Sequence, residues 1–272
     1  MGQVSFFFNF VVCNQESTYR MLKHLILISI LMILLSSQAA IAQEESENDT
    51  VSDIVLMEKQ WTLGLLVHTN GWGVRLRSGK NITFLRQRMW ELEYSTYKSP
   101  KEIRLINPMF SDAKSYIYGK LNYVSFLRGG IGFQHILNRK PYWGGIQLSA
   151  IYYGGISIGI TKPMYLYIIH IKSINEYEIT EEKYNPNIHF VEDIYGRGSF
   201  LSGITQLGLY PGIYLKGGLE FEFGTKNKRI NSLEAGGTLD FSPIPIPIMA
   251  YNPKQSFFIT LYLSISFGKR HN

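Results

Sequence analysis

Leu207-Gly208-Leu209-Tyr210-Pro211-Gly212-Ile213-Tyr214-Leu215-Lys216-Gly217-Gly218-Leu219-Glu220-Phe221-Glu222-Phe223 is two patterns interleaved. Its odd-numbered positions carry no charge: Leu207, Leu209, Pro211, Ile213, Leu215, Gly217, Leu219, Phe221 and Phe223. Its even-numbered positions are small, hydroxylated or charged, among them Tyr210, Tyr214, Lys216, Glu220 and Glu222. Successive side chains of a strand point to opposite faces, so strict alternation predicts one strand with two unlike faces. A transmembrane β-strand needs about 9–11 residues, and this run is long enough to cross hydrocarbon and project beyond it.

The same reading extends outward in both directions. Phe257, Ile259, Leu261, Leu263, Ile265 and Phe267 alternate with Phe258, Thr260, Tyr262, Ser264 and Ser266. Ile146, Leu148, Ala150, Tyr152, Gly154, Ile156, Ile158 and Ile160 alternate with Gln147, Ser149, Ile151, Tyr153, Gly155, Ser157 and Gly159. Leu121 to Leu137 keeps its phase through Gly129-Gly130 and is one strand. The count is eight, at about 60–68, 72–79, 82–97, 119–137, 145–161, 206–224, 231–242 and 256–268. Connections after the second, fourth and sixth strands are short, whereas 98–118, 162–205 and 243–255 are long; only the first, Thr69-Asn70-Gly71, is shorter than an outer loop should be. Outer-membrane barrels alternate short periplasmic turns with long extracellular loops and keep both termini periplasmic.

Composition agrees. The 272 residues are 18% charged, against a usual figure of about 25%, yet 14% aromatic, with 18 Tyr, 16 Phe and 25 Gly. A soluble barrel would turn its apolar face inward and show Lys- and Glu-rich faces to water. Here the polar faces are mostly Gly, Ser, Thr and Tyr, which suit a lumen just wide enough for side chains. The expected fold class is therefore all-β, an eight-stranded antiparallel transmembrane barrel of outer-membrane type spanning 59–272. Its aromatic girdles are expected at Trp61, Phe84, Phe133, Phe223 and Phe267 on the periplasmic side and at Trp72, Trp90, Tyr94, Tyr123 and Phe257 on the other. Arg86 and Arg88 share a face with Phe84 and Trp90. Either they snorkel at the inner rim or a bulge shifts the register there.

Met21-Leu22-Lys23-His24, the apolar run Leu25 to Leu35 and Ala40-Ile41-Ala42 match a signal peptide over 21–42, cleaved between Ala42 and Gln43. Residues 1–20 read as an over-extended start, and 43–58 as a periplasmic tail. The lone cysteine, Cys13, lies upstream of the signal, so a disulfide framework and Cys-based zinc patterns are excluded. The net charge of +6 is spread without a Lys/Arg cluster, which argues against nucleic acid as a partner.

Inward positions hold Arg75, Arg77, Arg128 and Lys216 against Glu91, Glu93, Glu220, Glu222, Glu234 and Asp240. Such a set is either an ion path or a salt-bridged plug, and a narrow barrel favours the plug. The i, i+2 carboxylates are partners for the arginines before they are an acid–base pair. No H-E-x-x-H, P-loop or GxGxxG context occurs, and Gly155-Ile156-Ser157-Ile158-Gly159 lies inside the alternating strand 145–161 rather than at the strand-to-helix turn that a G-x-S-x-G nucleophile needs. No catalytic residue, metal site or cofactor is expected. His135 sits on the lipid side near the periplasmic end, His68 points inward, and His170 and His189 lie in the long connection 162–205. That connection mixes tyrosines with Glu176, Glu178, Glu181, Glu182, Glu192 and Asp193, a surface suited to a protein, a glycan or divalent cations, and its expected form is a hairpin extending above the membrane. The run Ser242-Pro243-Ile244-Pro245-Ile246-Pro247-Ile248-Met249 must be extended and lacks alternate donors, so it is expected to be a stiff loop folded over the barrel mouth or docked on a partner.

Ser99-Pro100-Lys101-Glu102-Ile103-Arg104-Leu105-Ile106-Asn107-Pro108, Tyr118 to Asn122, and Ile246 to Pro253 with Phe258 to Arg270 resemble small outer-membrane barrel proteins of Bacteroidetes-type bacteria. The chain is more distantly similar to OmpA/OmpX-type and PorT-like barrels. The resemblance implies an integral outer-membrane protein contacting lipid and lipopolysaccharide. It implies a structural or adhesive role in the first case and a secretion accessory in the second. A lipid A-modifying enzyme or a small pore is the alternative among barrels of this size. Barrel-assembly machinery is the implied partner during biogenesis, with Phe267 matching the terminal aromatic it recognises, although Gly-Lys-Arg-His-Asn follows here.

Overall fold

The computed structural model describes residues 59–83, 85–110, 112–139, 145–173, 176–223 and 229–271. The expected signal peptide with Ala40, Ala42 and Gln43, the tail, and Phe84 lie outside them. In chain order the first strands are β1 (Lys59–His68), β2 (Gly71–Asn81), β3 (Arg86–Tyr97), β4 (Arg104–Leu105), β5 (Tyr116–Ile117), β6 (Asn122–Asn138) and β7 (Gln147–Pro163). They are followed by β8 (Tyr165–Ser173), β9 (Glu176–Lys183), β10 (Ile194–Arg197), β11 (Gly208–Phe223), β12 (Arg229–Ile246) and β13 (Gln255–His271). Eight of these close an antiparallel barrel in the order β1-β13-β12-β11-β7-β6-β3-β2. Among the described residues no helix is long and apolar enough to cross a membrane.

The register explains the tilt of the strands. From His68 the ladders lead in turn to Tyr262, Gly236, Gly218, Ile151, Gln134, Gln87 and Asn81. Asn81 lies one position beyond the Lys59–Lys80 pair, so one circuit drops the path by the whole length of β1. A stagger of that size is what closure of a narrow barrel requires.

Alternation assigns the two faces. Along β1 the outward residues Leu63, Leu65 and Val67 are 48%, 62% and 68% exposed, and along β13 Ile259 reaches 72%, values that belong in lipid rather than water. Thr62, Ser264, Ser266 and Thr260 are buried on the inside. Close interior packing uses glycine where an aromatic ring lies flat on the wall: a Cβ on Gly132 would sit 2.2 Å from Cδ1 of Tyr153.

On β3 neither ladder slips, so Arg86 and Arg88 face outward at the turn end, with the Arg86 guanidinium 4.2 Å from the centre of the Phe133 ring. Trp61, Phe133, Phe223 and Phe267 lie outward toward the turn end, and Trp72, Tyr94, Tyr123 and Phe257 outward toward the end with the long connections. Trp90 departs from its expected level. It pairs with Ser78 and Ile131 in the turn-end half of β3, well below Thr96, because β3 begins only at Arg86 and rises at a slant.

The long connections fold. β8, β9 and β10 form a three-stranded sheet, and β4 pairs with β5. The hairpin expected from 162–205 thus gains a third strand, which the chain supplies after a 3-10 turn at Val191–Asp193. The proline run departs from the ladder as its missing donors require. Pairing with β13 stops at Phe241–Phe257 and resumes only at Ile246–Gln255. Ile246, Ile248 and Met249 then pack on Tyr97, Val124, Phe126 and Phe258, which closes the barrel mouth with an apolar stopper.

Candidate functional site

The lumen holds a charge lattice with cations from three strands and carboxylates from two others. Arg75 Nη1 donates to Glu234 Oε1 at 2.5 Å, and Arg77 Nη1 donates to Glu234 Oε2 at 2.6 Å. Arg77 also donates to Glu91 through Nε at 2.7 Å. Arg128 forms a fork on Asp240, Nε to Oδ1 at 2.8 Å and Nη2 to Oδ2 at 2.7 Å, and donates to Glu93. Lys216 donates to Glu91 at 3.2 Å and to Glu93. The Tyr262 hydroxyl donates to Glu234 at 2.7 Å. All these groups are buried. Bidentate, charge-assisted bonds of this kind are the strong class, and each carboxylate here has at least two donors.

Nearer the turn end, Arg270 donates to Glu222 at 2.9 and 2.5 Å and to Gln60 at 3.2 Å, while Gln60 donates to Gln87 at 2.6 Å. Glu220 is also buried, directly opposite Glu234 on β12, and forms no ion pair among the described residues. The structure therefore brings Arg75, Arg77, Glu91, Glu93, Arg128, Lys216, Glu234 and Asp240 into one lattice, adds Glu222 in a separate layer with Arg270, and leaves Glu220 beside it. Arg270 escapes a search for alternating charges because it follows Phe267 and Gly268 at the last rungs of the strand; only its phase reveals it.

Above the stopper, Tyr116, Met164, Leu166, Ile168, Tyr184 and Ile194 form the core of the cap. Asn107 Nδ2 donates to the Ile194 carbonyl at 2.8 Å and ties the first long connection to the second. Lys120 is buried, with Nζ 2.5 Å from Glu102 Oε1 and 4.3 Å from the centre of the Tyr123 ring. Burial holds its amine below the ordinary lysine value, and Glu102 opposes that shift. Burial likewise raises the Tyr184 phenol to about 12.

The histidines occupy separate places. His68 is inside the barrel and His135 lies opposite Arg86 on the outward face. His170 Nε2 is 2.6 Å from Glu182 Oε1, and His189 Nε2 is 3.3 Å from Glu182 Oε2 without hydrogen-bond geometry. Among the described residues no group of three or more His, Cys, Asp or Glu is arranged to hold a metal ion.

A cavity of about 690 Å³ lies between the cap and the outer wall of the barrel. Its floor is outward-facing strand surface, including Trp72, Tyr94, Ser125 and Ile160. Its roof is cationic: Lys98, Arg104, Lys120, Lys162 and Arg197, with Glu102 as the carboxylate. Lys162 donates to the Phe200 carbonyl and lies 4.2 Å from the centre of the Phe200 ring.

No family model and no curated protein matches the chain. Among solved structures, it is similar to Ail, the attachment invasion locus protein of Yersinia pestis, in complex with the heparin analogue sucrose octasulfate. The identity is 8%, over 78% of this chain and 95% of that one, with a TM-score of 0.35. Neisserial surface protein A is similar at 7% identity, 78% and 94% coverage and a TM-score of 0.35. The N-terminal barrel domain of Pseudomonas aeruginosa OprF follows at 9%, 78% and 96%, and 0.31. Likeness at this level says nothing of a shared ligand.

Proposed function

We propose that the chain is an integral outer-membrane barrel that does not conduct and acts through the folded cap at its loop end, as a structural and surface-binding protein. The observation that carries this is the lattice across the lumen. An ion crossing the barrel must break the fork of Arg128 on Asp240 and the double contact of Arg75 and Arg77 on Glu234, then pass the stopper around Ile246. Breaking a buried ion pair costs roughly 3–5 kcal/mol, which is a barrier rather than a conduction step. The exposed apolar belt supports residence in a bilayer, and closure satisfies every strand edge there. Short turns and both chain ends then belong on the periplasmic side, and the cap is extracellular.

Fractionation with gel mobility before and after boiling tests the location, and planar-bilayer recording tests the plug. Heat-dependent migration in the outer-membrane fraction and a silent bilayer are the expected results. Recovery as a soluble protein would overturn the first half, and steady channel steps the second.

A further inference from the structure

We propose that the cavity beneath the cap is a binding site for the phosphorylated headgroup of an outer-leaflet glycolipid of the lipid A class, whose acyl chains descend along the outward faces of β3, β6 and β7. The inference rests on the membrane reading above and adds a ligand and a place to it.

Two chemistries meet in this cavity, and few ligands match both. The floor is the same face that meets hydrocarbon lower down: Tyr94 continues Leu92 on β3, Ser125 continues Leu127 on β6, and Ile160 continues Ile158 and Ile156 on β7. The roof sets five cations against one carboxylate. Glu102 is committed to Lys120. Among the described residues Lys98, Arg104, Lys162 and Arg197 form no ion pair with a carboxylate. The lumen cations Arg75, Arg77, Arg128 and Lys216 are each held by a carboxylate, whereas these four converge on one cavity without one.

A soluble anion has no use for an apolar floor continuous with the belt. A neutral lipid has no use for an excess of four positive charges. A phosphorylated lipid uses both, since guanidinium forks match phosphate oxygens in geometry and charge. The volume falls within the range of about 300–1,000 Å³ usual for small-ligand pockets, suitable for a headgroup with its chains left outside. Lys162 stands where the two chemistries join, rising from the outward face of β7 with its amine held over Phe200.

The test uses the purified full-length protein in nanodiscs of neutral phosphatidylcholine doped with bis-phosphorylated lipid A, released into detergent and read by native mass spectrometry. The wild type is expected to retain one lipid A adduct. R104A/R197A removes two exposed cations and is expected to lose retention at least tenfold while keeping heat-dependent migration. K183A, a cap cation outside the cavity, is expected to retain it. Dephosphorylated lipid A should be retained at least tenfold less. Undiminished retention by R104A/R197A, or equal retention of the dephosphorylated lipid, overturns the site. Full displacement by millimolar inorganic phosphate would mean a free-anion site and overturns the lipid assignment. Heat-dependent migration in every variant separates failure of this site from failure of the barrel reading, which predicts migration alone.

Discussion

Arg128 on β6 and Asp240 on β12 meet face to face across the lumen, although β7 and β11 separate their strands along the barrel wall. Their two parallel bonds are 2.8 and 2.7 Å long, and both side chains are buried. The pair braces opposite walls directly, without the intervening ladders.

Removing Arg128 leaves Asp240 a buried charge with no counterpart, and removing Asp240 leaves the buried Arg128 only Glu93, which Lys216 shares. D240A and R128A are each expected to lose about 3–5 kcal/mol, measured by urea unfolding in detergent micelles. R128L/D240L is expected to recover most of that, because apolar replacement of a whole buried pair is often neutral or stabilising. Equal losses in the single and double variants would count against a direct brace.

At Gly132 the ring of Tyr153 occupies the space a Cβ needs, 2.2 Å from Cδ1. Overpacking a filled interior costs about 1–3 kcal/mol, so G132A should unfold earlier than the wild type. G132A should cost less in a Y153A background than in the wild type, since the ring is gone and only the Tyr152 carbonyl, 2.5 Å from the added Cβ, still crowds it. A G132A protein as stable as the wild type would show that the ring does not lie on the wall.

The outward tryptophans measure depth. Trp72 lies at the loop end of β2, opposite Val67, and Trp90 lies well inside the outward face of β3. In single-Trp variants reconstituted with brominated lipids, Trp90 is expected to be quenched most by bromines deep in the acyl chains and Trp72 by bromines near the headgroup. Absence of quenching from either would exclude lipid contact on that wall.

Acid should loosen the cap before the barrel. Thr180 Oγ1, donating at 2.7 Å, and then His170 hold the Glu182 carboxyl below its ordinary value near 4.5. A carboxylate lowered in the folded state gives stability that is complete above the unfolded value and lost as pH falls through the folded one. Limited proteolysis should therefore reach β8 and β9 faster at pH 3 than at pH 6, with the barrel intact. E182Q should flatten that dependence. A pH profile unchanged in E182Q would place the titration elsewhere.

How much of this was legible in the chain follows from which forces act locally. Alternation over Leu207–Phe223 and Phe257–Phe267 is a local consequence of two unlike solvents, lipid outside and a packed polar lumen inside. It therefore predicts the barrel, its strand number and the facing of each side chain. The level of Trp90 did not follow, because height depends on where β3 begins and how far neighbouring strands slide. The cavity was illegible for a further reason. Lys98, Arg104, Lys120, Lys162 and Arg197 come from separate connections and strand ends, and no spacing rule joins them. Only the folding of the cap onto the outer wall does. The apolar character of Ile246 to Met249 was plain, whereas its partners Tyr97, Val124, Phe126 and Phe258 sit on three different strands.

The lumen lattice also bears on how the barrel is completed. The first four barrel strands carry Arg75, Arg77 and Arg128 against Glu91 and Glu93, and the last four supply Glu234, Asp240 and Lys216. Neither half can neutralise its own interior. A chain that stops after β7 would enclose an arginine surplus facing a gap, and a chain out of register at β12 would bring Glu234 to the wrong rung. Closure and charge balance thus arrive together, so the finished ring is self-checking: the seam between β1 and β13 shuts on a neutralised lattice only when β12 has delivered both of its carboxylates.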